Sequence, residues 1–177
     1  VGVGAGLSYG PAGATHHAIE DIAIMRALPN MTVCCPGDPK EVNALTRYSF
    51  IHKGPMYIRL AKNGERSIHS EDTTIVFGKA VKVIDGNDFV IFTTSNVLEE
   101  GKQIIEELWR EGRCGALISM PTIKPIDKGC ILSYIKMKIP IITLEEHSII
   151  GGLGSAVSEI IAENGEGVPF KRIGLPD

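Results

Sequence analysis

The chain has 177 residues, 44% of them apolar, 22% charged and 6% aromatic, and 18 Lys and Arg against 21 Asp and Glu leave a net charge of −3. That is aliphatic enough for a packed core and too weakly charged for a disordered chain. The mild acidity excludes the basic face of a nucleic-acid binder, and no apolar run approaches the roughly 20 residues that span a bilayer.

Short β-favouring runs alternate with longer stretches of helical period, the pattern of parallel-sheet α/β architecture. The chain opens on Val1-Gly2-Val3-Gly4, mid-strand and without Met or a basic leader, as a section of a longer polypeptide would. Gly4 to Ala14 is a glycine-rich loop, and Thr15 is the expected N-cap of a helix to about Leu28, stopped by Pro29-Asn30. Met31–Cys35 reads as a buried strand. Asp38 caps a helix with Pro39 at its first position, running to about His52, and Met56–Leu60 is the next strand. Residues 61–75 turn polar and read as a linker between a unit at 1–60 and a second at 76–177. In the second unit Ala80–Ile84 and Phe89–Thr93 are expected to form a hairpin through Asp85-Gly86-Asn87-Asp88. Asn96–Glu111, Asp127–Lys136 and Gly154–Ala162 read as helices, and Gly115–Met120, Ile139–Leu144 and Phe170–Ile173 as strands. The expected fold is therefore two small three-layer α/β units, mostly parallel sheets with helices on both faces. Few contacts are expected across the linker.

Several motifs can carry chemistry. Neither glycine register in Val1–Gly6 gives the G-x-G-x-x-G of a dinucleotide site. Gly151-Gly152-Leu153-Gly154-Ser155 opens a helix and either holds an anion on free N–H groups or lets the helix approach the sheet. Gly13-Ala14-Thr15-His16-His17 is either a capped helix start paired to Glu20 and Asp21, or a histidine placed for proton transfer. Arg59, at the end of an apolar strand, suits a phosphate or carboxylate, or pairs with an acid. Glu145-Glu146-His147 follows a strand, and spacing assigns it no role. Cys34, Cys35, Cys114 and Cys130 form no CxxC pair and are read as reduced, mostly buried thiols of a cytoplasmic protein.

Taken together, Gly13–His17, Ile19-Glu20-Asp21, Met25–Met31, Cys35–Glu41, Thr143–His147, Gly151–Val157 and Phe170–Asp177 resemble, in order, the transketolase-like thiamine diphosphate enzymes. The resemblance implies the end of a pyrimidine-binding domain followed by the family's C-terminal domain. It implies that His16 lines the active site near the aminopyrimidine, that Arg59 holds a sugar-phosphate group, and that thiamine diphosphate and Mg²⁺ serve the complete enzyme. The family's Asp four residues before that His is Ala12 here, Ser8-Tyr9 lengthens the loop, and the second active-site His near Val3 is absent. These departures point away from ketol transfer between pentose phosphates. The Gly-Asp-Gly…Asn diphosphate motif is not among these residues, and the protonating glutamate would precede Val1. The expected partners are an N-terminal transketolase section, in a homodimer or heterotetramer, and a small sugar-phosphate or keto substrate. The enzyme would make or break C–C bonds next to a carbonyl, and this chain by itself would be inactive. The other readings are a deoxyxylulose-phosphate synthase relative, a 2-oxo-acid dehydrogenase β-type subunit, or a non-catalytic dimerisation or regulatory module.

Overall fold

A computed structural model describes residues 1–62 and 64–177; Asn63, inside the expected linker, lies outside them. The first sheet runs β1 (Gly2–Val3), β3 (Met56–Leu60), β2 (Thr32–Cys34), β7 (Thr122–Lys124), all parallel except β7. The second runs β4 (Val81–Ile84), β6 (Gly115–Ser119), β5 (Phe89–Thr93), β8 (Ile141–Ser148), β9 (Phe170–Leu175), with only β4 antiparallel. Helices α1 (Asp21–Ala27), α2 (Pro39–Ser49), α3 (Leu98–Arg110), α4 (Lys128–Met137) and α5 (Leu153–Asn164) cover these sheets.

The period-two alternation of the central strands explains the layering. Val90, Phe92, Ala116 and Ile118 face one side and bury Ile131 and Ile135 of α4 and Val157 of α5. Ile91 and Leu117 face the other and bury Leu98 and Ile105 of α3. Buried on both faces, these strands read as continuous apolar runs. Asp38 starts α2 as expected, its Oδ1 accepting the Glu41 N–H at 2.8 Å, and the helix ends at Ser49, short of His52.

Three sequence expectations are corrected. The strands flanking Asp85–Asp88 are not a hairpin, because β6 inserts between β4 and β5. The turn instead wraps the start of β6: the Asn87 and Asp88 N–H groups donate to the Cys114 carbonyl, and a Cβ on Gly86 would overlap the Gly115 backbone. The helix expected from Thr15 begins only at Asp21. Ala18 is drawn into a short β-bridge, donating to Gly4 O and accepting from Gly6 N, so Ala14–His16 makes one 3₁₀ turn and His17 is extended.

The two sheets also do not stand apart. β7 comes from beyond the linker yet pairs with β2, and the Cys35 carbonyl accepts Ser95 N–H and Thr94 Oγ1–H. One core cluster joins Ile22, Val33 and Cys35 to Val90, Phe92 and Ile118.

Candidate functional site

Register places the glycine loop. Val3 pairs with Leu60, and the Leu60 carbonyl then accepts both Gly4 N–H and Ala5 N–H at 3.0 Å, so the chain leaves β1 at its carboxyl end. Ligands of open α/β sheets lie at that edge. Gly4 has φ +93° and lies against the Tyr9 ring, where a Cβ would come within 2.6 Å.

The loop ends in an open cleft of about 570 Å³ lined by Val3, Tyr9, Thr15, His16, His17 and Ala18. His16 is exposed there, its Nδ1 3.0 Å from Thr15 Oγ1 and its ring edge-to-face with Tyr9 at 5.8 Å. Its Nε2 has no hydrogen-bond partner among the described residues. His17 turns away, its Nε2 3.0 Å from the Gly10 carbonyl. Val3 also borders a second cleft of about 290 Å³, whose wall includes Leu60, Lys62 and Glu65. Lys62 Nζ stands 5.5 Å above the Tyr9 ring, a cation–π geometry that sets a positive charge beside both clefts.

Arg59 follows the second of its two sequence readings and pairs with an acid, Asp21. The Arg59 side chain is 1% exposed. Nε donates to Asp21 Oδ2 at 2.9 Å, Nη1 to Ser95 Oγ at 2.9 Å, and Nη2 to the carbonyls of Ala18 and Glu146 at 2.7 and 3.0 Å. Four of its five N–H donors are engaged beneath the loop within the protein, which argues against reading it as the holder of a substrate phosphate. Asp21 also accepts the Tyr57 hydroxyl at 2.7 Å; burial, then that bond to a carboxylate, pushes the phenol pKa up.

Glu145, Glu146 and His147 divide into three tasks. Glu145 fills the anion position expected at Gly151–Ser155, its carboxylate accepting Leu153 N–H at 2.6 Å and Gly154 N–H at 2.8 Å at the start of α5. Burial raises its pKa, and those two N–H groups oppose the rise. Glu146 points back to the glycine loop and accepts Leu7 N–H at 2.8 Å and Asn96 Nδ2–H. His147 is fully buried, Nδ1 facing the Ser148 carbonyl and Nε2 facing the Ala23 N–H; burial lowers its pKa and keeps it neutral.

A separate buried group joins Asp38, Glu41, His69 and Ser119. Glu41 Oε1 accepts from His69 Nε2 at 2.7 Å and Ser119 Oγ at 2.6 Å, and Oε2 accepts Gly37 N–H at 2.6 Å. Asp38 is equally engaged, by the N–H groups of Glu41, Ile68 and His69. Asp38, Glu41 and His69 are close enough to hold a metal, but every carboxylate oxygen already accepts a hydrogen bond within the protein.

Sequence reasoning missed Tyr9, Lys62, Asp21, Ser95 and Asn96. Asp21 had a signal, since an acid at a helix start beside a buried strand arginine suggests a pair. Ser95, buried with φ +60°, had none.

All four cysteines are free, with Cys34 and Cys35 buried and Cys114 exposed. No helix among the described residues is long and apolar enough to cross a membrane.

Comparison with known proteins gives a consistent picture. The family description "Transketolase, pyrimidine binding domain" matches residues 1–66, and "Transketolase, C-terminal domain" matches residues 78–177. A Methanocaldococcus jannaschii protein named as a putative transketolase C-terminal section is 41% identical over 175 residues, covering 98% of this chain and 54% of its own length. A subunit of the apulose-4-phosphate transketolase of Actinobacillus succinogenes is 34% identical over 176 residues, covering 99% of this chain and 57% of its own length. A solved structure described as a split gene transketolase, inactive beta4 tetramer, superimposes with a TM-score of 0.88 at 32% identity, over 99% of this chain and 56% of that one. The chain thus spans about half the length of these relatives.

Proposed function

Since the chain belongs to the transketolase family, we propose that it forms the pyrimidine-side half of a thiamine-diphosphate-dependent active site that a diphosphate-binding section completes. The assembled enzyme makes or breaks a C–C bond next to a carbonyl, moving a two-carbon ketol or acyl unit between small sugar-phosphate or keto substrates. The observation that supports this reading best is His16. It is an exposed imidazole on a loop anchored at a strand's carboxyl edge, in a chain whose first 66 residues match a pyrimidine-binding domain.

The residues present fit only one end of the cofactor. The cleft around Tyr9, Val3 and His16 offers aromatic and apolar walls to a heterocycle. The metal–diphosphate end requires open oxygen donors, and the Asp38–Glu41–His69 group is buried and saturated. Mg²⁺ and the diphosphate are therefore assigned to the complementary section. When bound, the cofactor carries the bond-breaking chemistry, and the protein supplies binding, orientation and proton handling.

In this reading the Thr15 contact orients the His16 ring and leaves Nε2 toward the cleft to hold or pass a proton at a substrate oxygen. Lys62, rather than Arg59, stands where it can attract a substrate phosphate or carboxylate.

The test is turnover by the chain mixed with its complementary section, thiamine diphosphate and Mg²⁺, with ketose phosphates and 2-oxo acids offered as separate donors. The mixture should turn over one donor class, and His16→Ala should lower kcat by about a hundredfold or more, the scale of a lost proton-transfer group. Unchanged kcat in His16→Ala would remove the assignment, and no turnover of either donor class would favour a non-catalytic module.

A further inference from the structure

The second unit reaches into the site through one carboxylate. Glu146 stands on β8, far along the chain from the glycine loop. Its Oε2 nevertheless accepts Leu7 N–H at 2.8 Å, together with Asn96 Nδ2–H from the turn after β5. Gly6 makes that approach possible. It has φ +60°, and a Cβ there would overlap the Glu146 carboxylate.

The same residue is tied a second time. Its own carbonyl accepts from Arg59 Nη2, which also donates to the Ala18 carbonyl at the other end of the loop. Gly6 N–H then closes the circuit by donating to Ala18 O at 2.9 Å. His16 sits two residues before Ala18 and carries no tether of its own to the second unit among the described residues.

We propose that Glu146 is a positioning residue: through Leu7 N–H and Asn96 it clamps the glycine loop to the carboxyl end of β8 and so fixes where His16 presents its imidazole. The inference rests on the reading of His16 given above and adds to it a task for the C-terminal unit. A hydrogen bond from a backbone N–H to a carboxylate is stronger than one between neutral groups. It therefore orders a loop that glycine leaves conformationally free. Substituting glutamine keeps the size but removes the charge, so both bonds fall to the strength of neutral ones.

The test uses three variants and two readouts. Amide hydrogen exchange is followed in the chain alone for wild type, Glu146→Gln and Gly6→Ala, the last displacing the carboxylate from the loop side. Exchange of the 4–9 and 14–18 segments should accelerate at least about tenfold in both variants, the scale of weakening or losing charge-assisted hydrogen bonds, while β5, β6 and β8 keep their protection. In the reconstituted enzyme, Glu146→Gln should lower kcat with little change in KM, and Glu146→Asp should restore part of it. Loop protection equal to wild type in both variants would overturn the proposal, as would protection lost across the whole second sheet. An inactive wild-type assembly would count against the proposed function alone, because the exchange experiment needs no turnover.

Discussion

Arg59 is the largest of the fully buried side chains, and its partners come from three separate stretches of chain. Asp21, Ala18, Ser95 and Glu146 converge on one planar guanidinium, whose fixed fork suits several acceptors at once. Removing it leaves the largely buried Asp21 with only the Tyr57 hydroxyl as a hydrogen-bond donor, takes the donor from the Glu146 carbonyl, and leaves the Ala18 carbonyl with Gly6 N–H alone. Arg59→Met should therefore cost about 3–5 kcal/mol, the range for breaking a buried pair from one side. Urea unfolding measures it, and a loss below about 1 kcal/mol would mean that the network behaves like a surface pair. The sequence marked Arg59 as unusual, because a cation in an apolar strand needs a reason. It could not say whether the partner was a substrate or the protein, since that depends on Ser95 and Glu146 arriving from the second unit. The place of His16 beside Thr15 at the end of the glycine loop was legible because that contact is local in the chain.

Among elements, the segment between the two units is the least legible from composition. Its polar residues suggested a detached linker, yet His69 is buried in it and bonded to Glu41 of α2, which also accepts from Ser119 of β6. Lys40 Nζ reaches the Ser70 and Glu71 carbonyls as well. Burial opposes the His69 cation, but the hydrogen bond and charge of Glu41, with Asp38 beside it, outweigh burial and raise its pKa above the ordinary 6.5. A raised folded-state pKa stabilises fully below the unfolded value and fades as pH rises through the folded one. The melting temperatures of wild type and His69→Gln should accordingly differ most below pH 6.5 and converge on going alkaline. Buried neutral His147 has the opposite sign, and its contribution falls as pH drops, so the comparison with His69→Gln isolates the first effect. A gap that is flat or widens with pH would contradict the pairing of His69 with Glu41. Most strands and the long helices were read well because their apolar runs and the Asp38 cap are local signals, whereas β7 was not expected. The hairpin was misread because strand order is not local: nothing between Ile84 and Phe89 announces that β6 will slot between them.

Across the molecule, the two units are interlocked by β7, by the Cys35 carbonyl and by a shared core, and are not two tethered pieces. Its clefts offer an imidazole, an aromatic ring and a lysine, and its one metal-like cluster among the described residues is closed. In the proposed function, cofactor affinity resides in the union of this chain with a complementary section. Calorimetric titration of thiamine diphosphate with Mg²⁺ into the chain alone, and into its mixture with that section, tests it directly. The chain alone should bind no tighter than about millimolar, roughly −4 kcal/mol, and the mixture at least about a thousandfold tighter. A micromolar Kd for the chain alone, or equal weak binding by both, would contradict the account.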